Sequence, residues 1–130
     1  MRYCGFHMTI RLFAAALLLT LAACQHSDLK VLIGATTIVA PGAQAIEDSV
    51  IVVAGGRIRS AGFRKDVPVP QDSERVDVSG KWIVPAPGAR IAVNESADLM
   101  VLDRAPVDAA PTLPADISRR MIHGQWQPAP

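Results

Sequence analysis

The chain has 130 residues, of which half are hydrophobic and 19% are charged, and this length allows one small domain. Thirteen basic and twelve acidic side chains give a formal charge of +1, and no cluster of Lys and Arg accompanies it. A nucleic-acid-binding groove requires such a basic patch. Length, composition and charge therefore predict a single domain and exclude nucleic acid as its partner.

The amino-terminal segment has the pattern of a bacterial export signal. An apolar run, 12–23, follows a basic residue and ends at Cys24. The run is too short to span a bilayer, which takes about 20 apolar residues, but it has the length of a signal-peptide core. Residues 1–23 are therefore predicted to form a helical signal peptide, with either Met1 or Met8 as the start of translation.

The end of this segment predicts lipidation. Leu21, Ala22, Ala23 and Cys24 resemble a lipobox, the motif that lipoprotein signal peptidase cleaves, whereas the alternative is an ordinary secretory signal beside a cysteine. Cleavage would make Cys24 the acylated first residue, with the membrane as its partner. It would leave 11 basic and 12 acidic residues, a charge of −1, and no thiol for a disulfide. Because Gln25 rather than Asp follows, we expect the periplasmic face of the outer membrane rather than the inner membrane.

The remaining chain divides into a polar tether (24–28), a predicted domain (29–127) and a short tail (128–130). The domain alternates short β-branched runs with Gly and Pro, and no helical period of useful length occurs in it. Strands are predicted at 29–33, 36–39, 49–53, 57–61, 75–78, 81–84, 89–93, 98–102, 117–122 and 125–127. Many short strands with turn signals between them predict an all-β fold, a small sandwich or barrel.

Three turns join neighbouring strands of this series. Gly55-Gly56 predicts a tight hairpin, because glycine supplies the positive φ that such turns need. Ser79-Gly80 predicts a second hairpin between the strands at 75–78 and 81–84. His123-Gly124 predicts the third turn, which joins the strands at 117–122 and 125–127 in a final hairpin. The segment 104–116 contains three prolines and is expected to be irregular.

Five motifs follow one another in the domain, at 32–42, 47–58, 76–85, 89–103 and 122–126. The third, Val-Asp-Val-Ser-Gly-Lys-Trp-Ile-Val-Pro, is the most specific. Together they resemble the amidohydrolase superfamily, metal-dependent hydrolases that combine a TIM barrel with a small β-sandwich built from both ends of the chain. The resemblance implies that the sandwich motif positions are Asp77, Gly80, Pro85, Asp98 and Gly124.

The resemblance also implies that the barrel is absent. In the family, the proline at position 85 begins a segment with two metal-binding histidines, whereas here Pro85-Ala-Pro-Gly88 leads directly into the segment that follows the barrel. The family usually has Gly where Asn94 stands, and Asn also tolerates the left-handed conformation. The sequence therefore predicts two sandwich halves joined without a barrel.

No catalytic residue, metal ligand or cofactor is predicted. A hydrolytic metal site needs about three convergent ligands, and after signal removal only His26 in the tether and His123 in a turn remain. Glu47 and Asp48 are adjacent, so in extended chain their carboxylates would point to opposite faces. For Asp98 we expect a structural role, in which it accepts hydrogen bonds from a neighbouring turn.

The apolar residues raise the question of a partner. Trp82 and Trp126 are expected to pack in the core or at an edge rather than to form a ligand platform. Removing a barrel would expose an apolar face, which either has become polar or is covered by a second copy or another protein; self-association or a protein partner is favoured. Candidate strand positions for that face are Val50, Val52, Ile58, Ile83 and Val101.

The sequence therefore favours a lipid-anchored, non-catalytic interaction or accessory module of the cell envelope. One alternative is a hydrolase of carbon–nitrogen bonds by family membership, working with a separately encoded barrel. The other is the remnant of a truncated gene whose product never accumulates.

Overall fold

The computed structural model describes residues 28–106 and 116–128. The predicted signal peptide, its lipobox, His26 and most of the proline-containing segment at 104–116 lie outside the described residues. The described residues form nine strands, which are β1 (Leu29–Ile33), β2 (Thr36–Thr37), β3 (Ser49–Ala54), β4 (Arg57–Phe63), β5 (Glu74–Asp77), β6 (Trp82–Pro85), β7 (Leu99–Leu102), β8 (Ile117–Ile122) and β9 (Gln125–Trp126).

These strands form two mixed sheets, so the all-β prediction is confirmed. The first sheet has the order β4-β3-β1-β5, and the second has the order β2-β6-β7-β8-β9. Within residues 28–106 and 116–128 no helix is long and apolar enough to cross a membrane.

The predicted glycine hairpin is confirmed. Strands β3 and β4 pair antiparallel with Ala54 opposite Arg57, so the loop has two residues. Gly55 and Gly56 have φ values of 60° and 81°, which is the doubly positive geometry of a type I′ turn. The hairpin at the end of the chain is built in the same way, since β8 and β9 are joined by His123 (φ 49°) and Gly124 (φ 77°).

The second predicted hairpin is wrong, because β5 and β6 lie in different sheets. Strand β5 pairs parallel to β1 in the first sheet, and β6 pairs parallel to β2 in the second. The residues between β5 and β6 bond to the ends of the β1–β2 connection, an arch that crosses from the first sheet to the second. The Val78 N–H donates to the Ile33 carbonyl, and the Thr36 N–H donates to the Lys81 carbonyl. Two successive arches, β1–β2 and β5–β6, therefore cross between the sheets side by side.

The two ends of the sandwich differ in what they carry. The arch end contains both crossings, at Gly34–Ala35 and Val78–Lys81. The hairpin end contains the start of β1 at Leu29, the two-residue turns of both hairpins, and the end of β6, because Leu29 is paired with Ala54 and Pro85 with Leu99.

The connection between β6 and β7 also lies at the hairpin end. Its first four residues, Ala86–Ala89, form a turn closed by the Ala89 N–H on the Ala86 carbonyl at 2.9 Å, with Gly88 at φ 83°. Proline at the second position and glycine with positive φ at the third are the requirements of a type II turn. The Ala86 N–H also bonds to the Asp98 carbonyl at 3.0 Å, so the connection leaves and re-enters the sheet at one point.

The strand predicted at 89–93 is absent from this connection. Only one ladder-like bond forms there, from the Ile91 N–H to the Val39 carbonyl, and a turn over 92–95 follows at once. That turn places Asn94 at φ 72°, the left-handed conformation expected for this position. Two turns so close together leave too few extended residues for a strand, although the Ile91 side chain is buried in the core.

The core lies between the sheets, and both halves of the chain contribute to it. Strand β7 is buried throughout, as its sequence predicts. The buried members of this core are Leu32, Ala35, Ile51, Val53, Ile58, Val78, Ile83, Ile91, Ala97, Leu99, Val101 and Met121.

A second apolar cluster covers the outer face of the first sheet. Val31, Val50 and Val52 alternate with the core residues and point away from the second sheet, and Val67 from the loop after β4 packs over them. Gly62 permits this approach, because a Cβ there would lie 3.2 Å from Val67 Cγ2. All five candidate positions for an exposed apolar face are consequently buried within the single chain, namely Val50, Val52, Ile58, Ile83 and Val101.

Candidate functional site

The polar side chains that could take part in chemistry meet at the hairpin end. Ser96 Oγ lies 3.2 Å from His123 Nδ1 and 3.1 Å from Asp98 Oδ1. The same Asp98 oxygen accepts the backbone N–H of His123 at 2.7 Å. Ser96, Asp98 and His123 thus close a ring of hydrogen bonds between the β6–β7 connection and the turn of the last hairpin; we call this ring the polar clasp.

The number of protons on each group decides which groups donate the hydrogen bonds of the polar clasp. The Ser96 hydroxyl has one proton, and an ionised Asp98 can only accept, so the serine donates to Asp98. His123 Nδ1 must then donate to Ser96 Oγ. The imidazole is therefore held with a proton on Nδ1.

This arrangement holds turns in place and does not prepare a nucleophile. In a Ser–His–Asp triad the carboxylate orients the imidazole and the imidazole accepts the serine proton. Here Asp98 bonds to the serine and to a backbone amide, and the imidazole donates to the serine. Asp98 thus accepts hydrogen bonds from a turn, which is the role its sequence context suggests.

Gly124 belongs to the same end of the molecule and has a steric role. A Cβ on Gly124 would lie 2.7 Å from Gly56 Cα, and a Cβ on Gly56 would lie 2.8 Å from His123 Nε2. The turns of the two hairpins therefore pack backbone against backbone. Two further bonds connect them through the β6–β7 connection, from the Gly124 N–H to the Ala97 carbonyl and from the Ala97 N–H to the Gly56 carbonyl.

Asp77 and Gly80 lie at the arch end. Asp77 Oδ1 accepts the Ser79 N–H at 2.9 Å, and Gly80 has φ 81° in the turn that follows. Hydrogen bonds from the Ser79 side chain and backbone lower the pKa of Asp77 below its ordinary value. Pro85, the remaining motif position, ends β6 opposite Leu99 at the hairpin end. The structure therefore places Asp77 and Gly80 at the arch end, and Pro85, Asp98 and Gly124 at the hairpin end.

The two tryptophans occupy opposite faces of the second sheet. Trp82 is half-buried and pairs with Leu102 on the outer face. Trp126 packs against the main core, and the guanidinium of Arg119 lies 3.7 Å from the centre of its ring. Trp126 Nε1 is buried and has no hydrogen-bond partner within the described ranges. The stacked arginine covers the edge of the core here.

The potential metal ligands of the described residues lie apart from one another. Within 28–106 and 116–128, no group of three or more His, Cys, Asp or Glu side chains converges. Asp48 has φ 50° and pairs through Oδ1 with Arg64 Nη2 at 2.8 Å, so it is engaged away from Glu47. His123 contributes to the polar clasp.

Two contacts at this end were not anticipated from the sequence. The partnership of Ser96 with His123 depends on the path of the β6–β7 connection, which no local pattern encodes. The stack of Arg119 on Trp126 could have been predicted from the sequence. In the predicted last hairpin Met121 opposes Trp126, so Arg119 is the diagonal neighbour of Trp126 on the same face of the sheet.

Comparison with known proteins gives matches at the level of structure. No protein-family model matches the chain, and no curated protein does. Among solved structures, a molinate hydrolase matches with a TM-score of 0.41 and 24% identity, over 47% of this chain and 13% of its own. A guanine deaminase from E. coli matches with a TM-score of 0.40 and 24% identity, over 47% of this chain and 17% of its own.

These structural neighbours are amidohydrolase-superfamily proteins. The chain spans less than a fifth of the length of either one. The structural similarity therefore covers a small part of each of these proteins. The resemblance of this chain to their superfamily comes from the sequence motifs of the chain itself.

Proposed function

We propose that the chain is a lipid-anchored protein of the bacterial cell envelope whose sandwich corresponds to the composite domain of an amidohydrolase without its catalytic barrel. In this proposal it acts as a non-catalytic interaction or accessory module. The observation that carries the proposal is the Ala86–Ala89 turn, because it occupies the position at which the family motifs would lead into a barrel.

The way the two chain halves fit supports a self-sufficient module. The part before the turn supplies β1 to β6, and the part after it supplies β7 to β9. Strands β6 and β7 pair in register across the junction, from Trp82 opposite Leu102 to Pro85 opposite Leu99. The core takes residues from both halves, so each half buries the apolar face of the other.

A module of this kind acts through its surface. The five apolar positions first considered for a partner are inside the domain, so a second copy or another protein would contact other groups. The exposed large apolar side chains among the described residues are Phe63, Val93 and Ile122. A homodimer or a protein partner remains part of the proposal, with contacts at exposed positions such as Phe63.

The anchor is tested by metabolic labelling with a clickable fatty acid. Because the acyl groups are placed on Cys24, the Cys24→Ala variant should lose the label and accumulate as an uncleaved or soluble species. Cys4→Ala is the matched control and should keep the label, since that cysteine precedes the cleavage site. Persistent labelling of the Cys24→Ala variant would refute the anchor. Membrane fractionation then tests the outer-membrane assignment, and recovery with the inner membrane would contradict it.

A further inference from the structure

The turn over residues 92–95 presents an apolar side chain between two arginines. Val93 is 59% exposed, against 44% for Phe63 and 46% for Ile122. Arg57 Nη1 donates to the carbonyl of Asn94 at 2.8 Å, which places its guanidinium beside the turn. Arg90 approaches Glu95 of the same turn at 3.7 Å.

One of the two arginines beside Val93 carries a positive charge without an acidic partner in the described part of the chain. Arg90 and Glu95 offset each other, whereas Arg57 bonds to a neutral carbonyl, and no carboxylate in the described part of the chain lies within ion-pair distance of it. Of the other acids near this end, Asp28 pairs with Lys30, and Asp98 accepts hydrogen bonds in the polar clasp. An exposed apolar side chain flanked by arginines suits the interface of a membrane that contains anionic lipids.

The start of the domain lies at the same end as this turn. Leu29 pairs with Ala54, Ala54 pairs with Arg57, and Arg57 forms a bridge with Ser96 in the β6–β7 connection. Three spacings of about 4.8 Å between adjacent strands put the connection about 15 Å to the side of Leu29, at the same level along the strands.

The length of chain before Leu29 limits how far this end can be from an anchor at Cys24. Five residues span at most about 18 Å when fully extended. Strands of five to seven residues, with a rise of about 3.3 Å per residue, put the arch end roughly 16–23 Å farther along the sandwich. An anchor at Cys24 therefore keeps the hairpin end near the bilayer and leaves the arch end free to point away.

We propose that the hairpin end rests on the membrane, with Val93 in the headgroup region and Arg57 and Arg90 facing anionic headgroups. This inference rests on the lipid anchor of the proposed function and adds the orientation of the domain. The acyl chains hold the protein at the surface, and at that high local concentration a small contact suffices to select one orientation. The arch end, with the Asp77–Gly80 corner, then faces the periplasm.

The test uses the acylated chain in phosphatidylcholine vesicles with and without phosphatidylglycerol. A polarity-sensitive fluorophore is attached to Val93→Cys or, as the matched control, to Phe63→Cys, an exposed apolar position at the arch end. At position 93 we expect a blue shift, and quenching by lipids that carry a spin label near the headgroup. At position 63 we expect neither. Arg57→Gln should weaken the quenching at position 93 in vesicles that contain phosphatidylglycerol, whereas Arg64→Gln at the arch end should not.

The outcomes separate the orientation from the anchor. If the protein stays with the vesicles and the two positions are quenched equally, or position 63 more strongly, the orientation is refuted and the anchor stands. If neither position is quenched while the protein remains bound, the orientation is again refuted. If the protein does not float with the vesicles at all, the anchor fails and the orientation falls with it.

Discussion

The close contact between the two hairpin turns predicts a large loss of stability in Gly124→Ala. The new Cβ would lie 2.7 Å from Gly56 Cα and 3.2 Å from Gly56 N, and backbone atoms cannot move aside as a flexible side chain can. Overpacking of this kind costs about 1–3 kcal/mol. The positive φ of 77° adds a conformational cost of about 1–2 kcal/mol for a residue with a Cβ. The expected decrease in the free energy of unfolding is therefore about 2–5 kcal/mol.

Gly55→Ala is the matched control for this variant. Gly55 has φ 60°, so it shares the conformational cost, but a Cβ there meets no atom within 4 Å. Its loss should be only about 1–2 kcal/mol. Urea unfolding followed by tryptophan fluorescence measures both, since Trp126 packs against the core and reports its exposure. Equal losses for the two variants, at equal dependence on urea, would show that the backbone contact contributes nothing.

Four further predictions concern single features. Arg119→Ala should shift the tryptophan emission to the red and lower the free energy of unfolding by about 0.5–1 kcal/mol, because it removes the stack on Trp126, whereas Arg120→Ala should do neither. In ¹⁵N spectra His123 should be protonated on Nδ1 when neutral, and Ser96→Ala should release this preference; a neutral imidazole protonated on Nε2 in the unsubstituted chain would contradict the polar clasp. The pKa of Asp77 is lowered in the folded protein, so its contribution to stability is present above its unfolded pKa and is lost as pH falls through the folded pKa. Asp77→Asn should therefore lower the free energy of unfolding at pH 7, and in acid the variant and the unsubstituted chain should have the same free energy of unfolding. The purified protein should hold no stoichiometric zinc and hydrolyse neither cyclic amides nor dipeptides; about one tightly bound zinc per chain would overturn the non-catalytic proposal.

Features encoded by neighbouring residues were predictable from the sequence. Gly55-Gly56 and His123-Gly124 each place two residues with positive φ between two predicted strands, and both form the expected hairpins. Strand β7 has four apolar residues in a row, a pattern typical of a strand covered on both faces, and all four are buried. In each of these elements the local pattern and the tertiary environment favour the same structure.

The sheet in which a strand lies could not be predicted in this way. Ser79-Gly80 is an adequate turn for a hairpin, and the Asx turn at Asp77 suits one equally well. The outcome was decided by the first arch, because Ile33 and Thr36 supply the partners that Val78 and Lys81 bond to. Those partners are more than 40 residues away along the chain. A local turn signal specifies a change of direction, and distant backbone groups determine whether the next strand pairs with the last one.

The position of the β6–β7 connection bears on the proposal that this sandwich lacks a barrel. The Ala86 N–H bonds to the Asp98 carbonyl, so the residues between them leave the second sheet and return to it at one point. An insertion at such a point leaves the strand pairing on either side unchanged, which is why closely spaced chain ends accept whole domains. The loss of an inserted segment at this point is equally compatible with the in-register pairing of β6 with β7, which the connection from Ala86 to Asp98 preserves. The connection also stabilises the sandwich, because Ile91 belongs to the core and the Ala97 backbone bonds to Gly56 and Gly124 in the turns of the two hairpins.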